Sequence, residues 1–150
     1  MSEKNLRHWL SREIRKRGGH VQNIEDAYST GVPDMNICIN GREAWIECKY
    51  LKAWPKRAGT GVRVKFRPGQ VNWLVKRGRA GGRAFVALQV GDERFLFHSG
   101  YAVGLENGAW NQEQVRAHAI SGNEAILYWL ADVLGDMAHE PLSLTTLQIS

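Results

Sequence analysis

The dipeptide Asn40-Gly41 constrains this chain more than any other feature. It separates two short runs rich in β-formers, MNICI and REAWIECK, and Asn-Gly in that setting is the strongest local signal for a two-residue hairpin turn, because both turn residues must take positive φ. With Asn40 and Gly41 as the loop, Ile39 faces Arg42, Met35 faces Ile46 and Asp34 falls directly opposite Glu47. Side-chain alternation then sends Met35, Ile37, Ile39, Ala44, Ile46 and Cys48 to one face, an apolar set that requires a core. Asp34, Asn36, Cys38, Trp45, Glu47 and Lys49 occupy the other. Like charges directly opposed across a strand pair destabilise it unless something compensates them, and a divalent cation would do so. Pro33 is tolerated at the open end of the hairpin because the first residue of a strand need not donate to the ladder. A three-residue loop would break the Asp34/Glu47 pairing, so the register is the expectation on which the site depends.

At 150 residues the chain has the size of one domain with a substantial core. Its net charge of +5 conceals an asymmetry: residues 1–100 hold 19 Lys/Arg against 9 Asp/Glu, whereas residues 101–150 hold Arg116 alone against 6 acids. Between Glu47 and Asp92 there are 11 basic residues and no acid. A one-signed stretch of that kind attracts polyanions, nucleic acid foremost, though a basic surface also serves solubility. Cys38 and Cys48 are sent to opposite faces of the hairpin and are expected to be free thiols, which suits a reducing cytoplasm. No apolar segment suggests secretion or membrane insertion, so no membrane partner is expected.

Helical spacing of Leu6, Trp9, Leu10 and Ile14 predicts a first helix over residues 3–18 that ends at Gly18-Gly19. Glu13 falls in the middle of that stripe. A carboxylate there either pairs with Arg17 one turn on or has a cation to bind, and the second is expected because burying an unpaired charge is costly. Arg7, Arg12, Arg15 and Lys16 make the remaining helix surface basic. His20 to Asp26 reads as a strand, and Tyr28 to Gly31 as a turn leading to Pro33-Asp34; Glu25 and Asp26 rank below Glu13 as site residues.

From Tyr50 to Arg67 runs a long segment carrying Lys52, Lys56, Arg57, Arg63, Lys65 and Arg67, interleaved with Tyr50, Trp54 and Phe66. Gly59-Thr60-Gly61 is expected to make its middle flexible. The composition suits contact with phosphates and stacking of the aromatics, Trp54 among them, on unpaired bases. Pro68 is placed to open a second helix to about Arg79, with Val71, Leu74, Val75 and Gly78 inward and Gln70 in its first turn. From spacing alone Gln70 is equally an ordinary polar first-turn residue. Arg83 to Val90 reads as a buried strand and Arg94 to His98 as another. Helices are expected over Gln112–Ile120 and Asn123–Leu134, the latter amphipathic through Ile126, Leu127, Leu130, Val133 and Leu134. The uncharged tail from Pro141 is expected to be loosely ordered.

Pro33-Asp34 followed by Glu47-Cys48-Lys49, with a helix before and a helix after, resembles the PD-(D/E)XK nuclease superfamily, and within it the VRR-NUC type and the archaeal Holliday-junction resolvases. The resemblance covers roughly residues 3–98. It implies an α/β, restriction-endonuclease-like core: a helix, a three-stranded antiparallel hairpin sheet, a second helix and further strands. Residues 1–100 would form that core and residues 101–150 an acidic helical extension packed on the same domain. Such relatives place a Glu in the first helix and a Gln at the start of the helix after the lysine, which the resemblance maps onto Glu13 and Gln70. They are small enzymes often encoded by phages, which would put the protein in the host cytoplasm. Resolvases of this type act as dimers on four-way junctions, so the resemblance also implies branched DNA and a homodimer.

The chemistry is consistent with that likeness. Phosphodiester hydrolysis needs an activated water, neutralisation of charge at the phosphorane-like transition state and help for the leaving oxygen. Asp34 and Glu47 would bind Mg²⁺ or Mn²⁺, joined by the backbone carbonyl of Cys48 and by Glu13. Lys49 would orient the attacking water or stabilise developing charge, and Gln70 would hold a water or a phosphate oxygen. The histidines, His8, His20, His98, His118 and His139, lack paired zinc-ligand spacing, and no Gly-x-Ser-x-Gly motif offers a protein nucleophile. The expected activity is metal-dependent endonucleolytic cleavage of DNA, with junctions or flaps favoured. The alternative is a non-catalytic nucleic-acid-binding protein of the same fold.

Overall fold

The computed structural model describes residues 2–24 and 31–131. Helix α1 (Glu3–Lys16) begins at Ser2, whose hydroxyl accepts the Asn5 N–H at 3.2 Å. Glu3 in its first turn and Arg15 and Lys16 in its last suit the helix dipole. Leu6, Trp9, Leu10 and Ile14 are buried along one side, as their spacing requires.

Six strands among the described residues form one sheet in chain order: β1 (His20–Asn23), β2 (Met35–Ile39), β3 (Arg42–Leu51), β4 (Ala84–Val90), β5 (Glu93–His98) and β6 (Ile120–Ser121). The hairpin has the register expected, with Met35 opposite Ile46 and Ile39 opposite Arg42. Asn40 and Gly41 take φ of 53° and 76°, the pair of positive values that such a turn needs. Strands β1 to β3 make the antiparallel three-stranded unit. Helix α2 (Gln70–Arg79) then carries the chain to β4, which lies parallel to β3. The α/β class, with a helix, that unit, a second helix, further strands and a helix after them, is the one expected.

The sheet has a core on each face. On one, Met35, Ile37, Ile39, Ala44, Ile46 and Cys48 pack with the α1 stripe and with Ile126, Leu127 and Leu130 of α5 (Asn123–Ala131). On the other, Leu74 of α2 packs with Val86, Leu88, Phe95 and Phe97.

The second face contains the first departure from expectation. Residues 62–67 form an extended strap packed on the sheet. Val62, Val64 and Phe66 are buried while Arg63, Lys65 and Arg67 between them are exposed. The Val62 N–H donates to the Trp110 carbonyl at 2.7 Å and the Val64 N–H to that of Leu105 at 2.9 Å, so the strap borrows backbone partners from the segment after β5. Gly61 allows the crossing, since a Cβ there would overlap the Gly108 carbonyl oxygen.

Other boundaries also shift. Helix α2 starts at Gln70 because Gly69, at φ 87°, turns the chain left-handed just before it, leaving Pro68 outside. Residues after β5 form a short 3-10 turn (Ser99–Tyr101) and helix α3 (Ala102–Asn107), neither expected. Helix α4 (Gln112–His118), opened by the reciprocal Asn111/Gln114 capping box, stops short of Ile120, which pairs with Leu96 as part of β6. Expectations for Glu25, Asp26, Tyr28 to Thr30, Val133, Leu134, His139 and the tail lie outside the described residues. No helix among those described is long and apolar enough to cross a membrane.

Gly31, buried at φ 83°, sets the loop that delivers Asp34 against the turn before α2: a Cβ there would overlap the carbonyl oxygen of Gly69. Gly31→Ala is therefore expected to lower stability by about 1–3 kcal/mol, read from the urea midpoint, because backbone rather than a flexible side chain must move.

Candidate active site

Asp34 ends the loop before β2 and is tied on three sides. Its carbonyl accepts the Ile24 N–H at 2.7 Å, its own N–H donates to Glu47 Oε1 at 3.1 Å, and its Oδ2 accepts the Cys48 N–H at 2.9 Å. The aspartate thus closes onto the strand that carries the glutamate. Strand β3 lies between β2 and β4, so Glu47 and Lys49, two residues apart, share one face near the middle of the sheet. Cys48 between them points into the α1 core, its Sγ 3.8 Å from Met35 Sδ. Both cysteines are free thiols, Cys38 exposed and Cys48 buried.

Gln70 joins the pair from α2. It is fully buried; its Nε2 donates to Glu47 Oε2 at 2.7 Å, while its Oε1 accepts from Lys49 Nζ at 3.0 Å and from the Arg67 N–H at 2.7 Å. Those contacts fix the amide orientation, since the reversed amide would set donors against donors. Lys49 Nζ also lies 3.3 Å from Glu47 Oε2 and 4.8 Å above the Phe66 ring. Lys49 is 6 % exposed and Glu47 2 %, so both charged groups are held in place by partners and by packing. Asp34, Glu47, Lys49 and Gln70 are thus brought into one cluster at the base of the strap.

Burial pushes the Glu47 carboxyl up to about 7, and the neighbouring Asp34 charge pushes in the same direction; Lys49 and Gln70 pull it back. Burial, then Asp34 and Glu47, hold the Cys48 thiol well above its ordinary range, which leaves it unreactive. Two carboxylates that repel, Glu47 buried and Asp34 half-buried, offer oxygen donors of the kind that hard divalent cations take. Among the described residues no group of three or more His, Cys, Asp or Glu is placed to hold a metal ion. A cation here would have Asp34, Glu47 and the Cys48 carbonyl, with water completing its shell, and Mg²⁺ ordinarily keeps several waters.

Glu13 is not part of this cluster. Its carboxylate accepts from Arg17 Nη1 at 3.2 Å and from Lys16 Nζ at 3.3 Å, and those contacts, Arg17 first, lower its pKa. The partner one turn on satisfies the charge, so its place in the apolar stripe required no cation. The acid of α1 whose charge is felt at Cys48 is Glu3, together with Arg7.

Of the expected DNA contacts, Lys52, Lys56, Arg57, Arg63, Lys65 and Arg67 are exposed. Trp54 is not available for stacking. Its Nε1 donates to Glu93 Oε2 at 2.7 Å, its ring meets Phe95 edge-on at 5.7 Å, and Arg116 lies 4.6 Å over it while pairing with Glu93 at 3.1 Å. Phe66 is buried beneath Lys49. The aromatics of this segment anchor it to the sheet and leave its cations free to face solvent.

No family model and no curated protein matches the chain. Among solved structures it is similar to Hjc, a Holliday junction resolvase from Archaeoglobus fulgidus, at 22 % identity over 64 % of this chain and 76 % of that one, with a TM-score of 0.46.

Because Glu47 holds its proton at about 7 in the fold against 4.5 ordinarily, the folded state binds more protons than the unfolded one between those values. Its contribution to stability is therefore greatest at acid pH and is lost as pH rises through about 7. Urea midpoints in EDTA at pH 5 and pH 8 are expected to show that loss in the wild type and a smaller one in Glu47→Gln.

Proposed function

We propose that this protein is a divalent-metal-dependent endonuclease that hydrolyses phosphodiester bonds in DNA. The observation that supports it most is the four-residue cluster itself: two opposed carboxylates, a buried lysine bonded to one of them and a glutamine that holds both, at the root of a row of exposed cations. A purely structural ion pair accounts for Glu47 and Lys49. It does not account for Asp34 beside them, whose charge raises the cost of the site.

Asp34, Glu47 and the Cys48 carbonyl oxygen would hold Mg²⁺ or Mn²⁺. When bound, the cation supplies a Lewis acid for the phosphoryl oxygens and lowers the pKa of a coordinated water. Lys49 needs no reorganisation to act, because Gln70 and Phe66 already fix its ammonium beside the carboxylates. From there it orients the attacking water and stabilises negative charge that develops on the phosphate, the kind of preorganised electrostatic help that enzymes rely on most. Gln70 keeps Glu47 and Lys49 in register and, when Glu47 turns to a cation, has an amide N–H free for a water or phosphate oxygen. Arg63, Lys65 and Arg67 take phosphates of the bound strand.

Branched or flapped DNA is the substrate class we favour, from the likeness of the Pro33-Asp34 and Glu47-Cys48-Lys49 pattern to that of the junction resolvases. A homodimer would supply the paired cuts that a two-fold symmetric junction needs. Work in a reducing cytoplasm would keep Cys38 and Cys48 as thiols.

Cleavage of matched linear, flap and four-way-junction DNA in Mg²⁺, Mn²⁺ and EDTA tests the reading. Cutting is expected only with metal, reduced by roughly 100-fold or more in Glu47→Ala and in Lys49→Ala with DNA binding retained. Glu13→Ala is expected to keep activity, since its carboxylate is occupied by Arg17 and Lys16. Metal-independent cutting would overturn the metal requirement, and binding with no cutting of any substrate would instead indicate a non-catalytic DNA-binding protein.

A further inference from the structure

The strap does not account for all of the basic surface. Along α1, Lys4, His8, Ser11, Arg12 and Arg15 recur at three- and four-residue steps, which places them on one flank of the helix. That flank faces the edge strand β1, where Arg15 Nη2 reaches the Val21 carbonyl at 3.4 Å. Between helix and strand lies a groove of about 620 Å³ lined by His8, Ser11, Arg12, Arg15, Lys16 and Asn23. A second recess, about 160 Å³, is lined by Lys4, Arg7, His8, Asn23, Ile24 and Asp34. The two share His8 and Asn23, so they form one trough that ends at the aspartate of the candidate active site.

The trough is built for an anion. Glu13 pairs with Lys16 and Arg17 and lies 3.9 Å from Arg12, so Lys4, Arg7 and Arg15 carry the net positive charge of the lining against Asp34 at its end. Ser11 is 4 % exposed, lines the groove, and its Oγ has no hydrogen-bond partner among the described residues. From Lys4 to Arg15 the helix rises about 16 Å, about the axial length of five base pairs of duplex.

We propose that this trough carries the phosphate backbone of the DNA arm on the Asp34 side of the cut, opposite the arm held by Arg63, Lys65 and Arg67. The proposal rests on the nuclease reading. Helix α1 packs on one face of the sheet and the strap on the other, so DNA that follows both lanes changes direction at the carboxylate pair.

The test is equilibrium binding of a four-way junction and of a linear duplex, by fluorescence anisotropy in EDTA over a range of NaCl. Arg12→Gln/Arg15→Gln is compared with Arg63→Gln/Lys65→Gln and with wild type, and circular dichroism checks that each is folded. Both arginines are exposed on α1 and Gln is a good helix former. The trough variant is expected to bind the junction about 10-fold or more weakly, with a slope of log K against log salt shallower by roughly 2. Unchanged affinity and slope in that variant, beside a loss in the strap variant, would overturn the proposal. Ser11→Ala supplies a second reading. Loss of a buried unpaired hydroxyl is expected to leave the melting temperature equal or higher while junction binding weakens several-fold; a lower melting temperature with unchanged binding would count against the trough. A wild-type chain that binds neither DNA would refute the nuclease reading itself, which separates that failure from failure of the trough.

Discussion

Two carboxylates stand side by side, Glu47 buried and Asp34 half-buried, and much of the structure answers that conflict. Glu47 is placed in the middle of the sheet by β3, and Asp34 is brought against it by a loop that bonds to Glu47 through its own N–H and to Cys48 through its side chain. Lys49 and Gln70 offset part of the repulsion, yet the Glu47 carboxyl still sits near 7. The remaining imbalance is what a divalent cation would neutralise. It also explains why the supporting shell is dense: every polar atom of Gln70 is engaged, so neither carboxylate partner can drift.

Helix α2 is the support on which that arrangement turns. It enters through Gly69, and Gly31 lets the aspartate loop lie directly against that entry. The strap reaches the same point from the other direction, with the Arg67 N–H on Gln70 and the Phe66 ring under Lys49. The surface that would meet phosphates is thus bonded to the residues that would cleave them. Arg116, Glu93 and Trp54 form a clasp that anchors the segment leading from β3 into the strap. Residues beyond 100 have a related role, since Leu105 and Trp110 provide the carbonyls that keep the strap extended.

The hairpin was legible because its signals agree. Asn40-Gly41 fixes the turn, period-2 alternation fixes the faces, and the two together set Asp34 opposite Glu47 without further information. The strap is less legible: its alternation of Val62, Val64 and Phe66 with three cations competes with glycine and charge, and its backbone partners lie more than 40 positions away in sequence. No local pattern announces such a pairing. Glu13 misled for a related reason: a carboxylate within an apolar stripe looks buried in a helical projection, but a long side chain near the helix end reaches outward to Arg17. Trp54 and Phe66 look available for stacking in a basic segment, but tertiary packing engages both.

The central claim is that Asp34 and Glu47 together form a cation site, and Mn²⁺ binding measured by electron paramagnetic resonance in the absence of DNA tests it most directly. The account predicts saturable binding in the wild type, lost in Asp34→Asn and in Glu47→Gln and retained in Glu13→Gln. Binding that survives both substitutions at the pair, or a wild-type protein that binds no Mn²⁺, would contradict it.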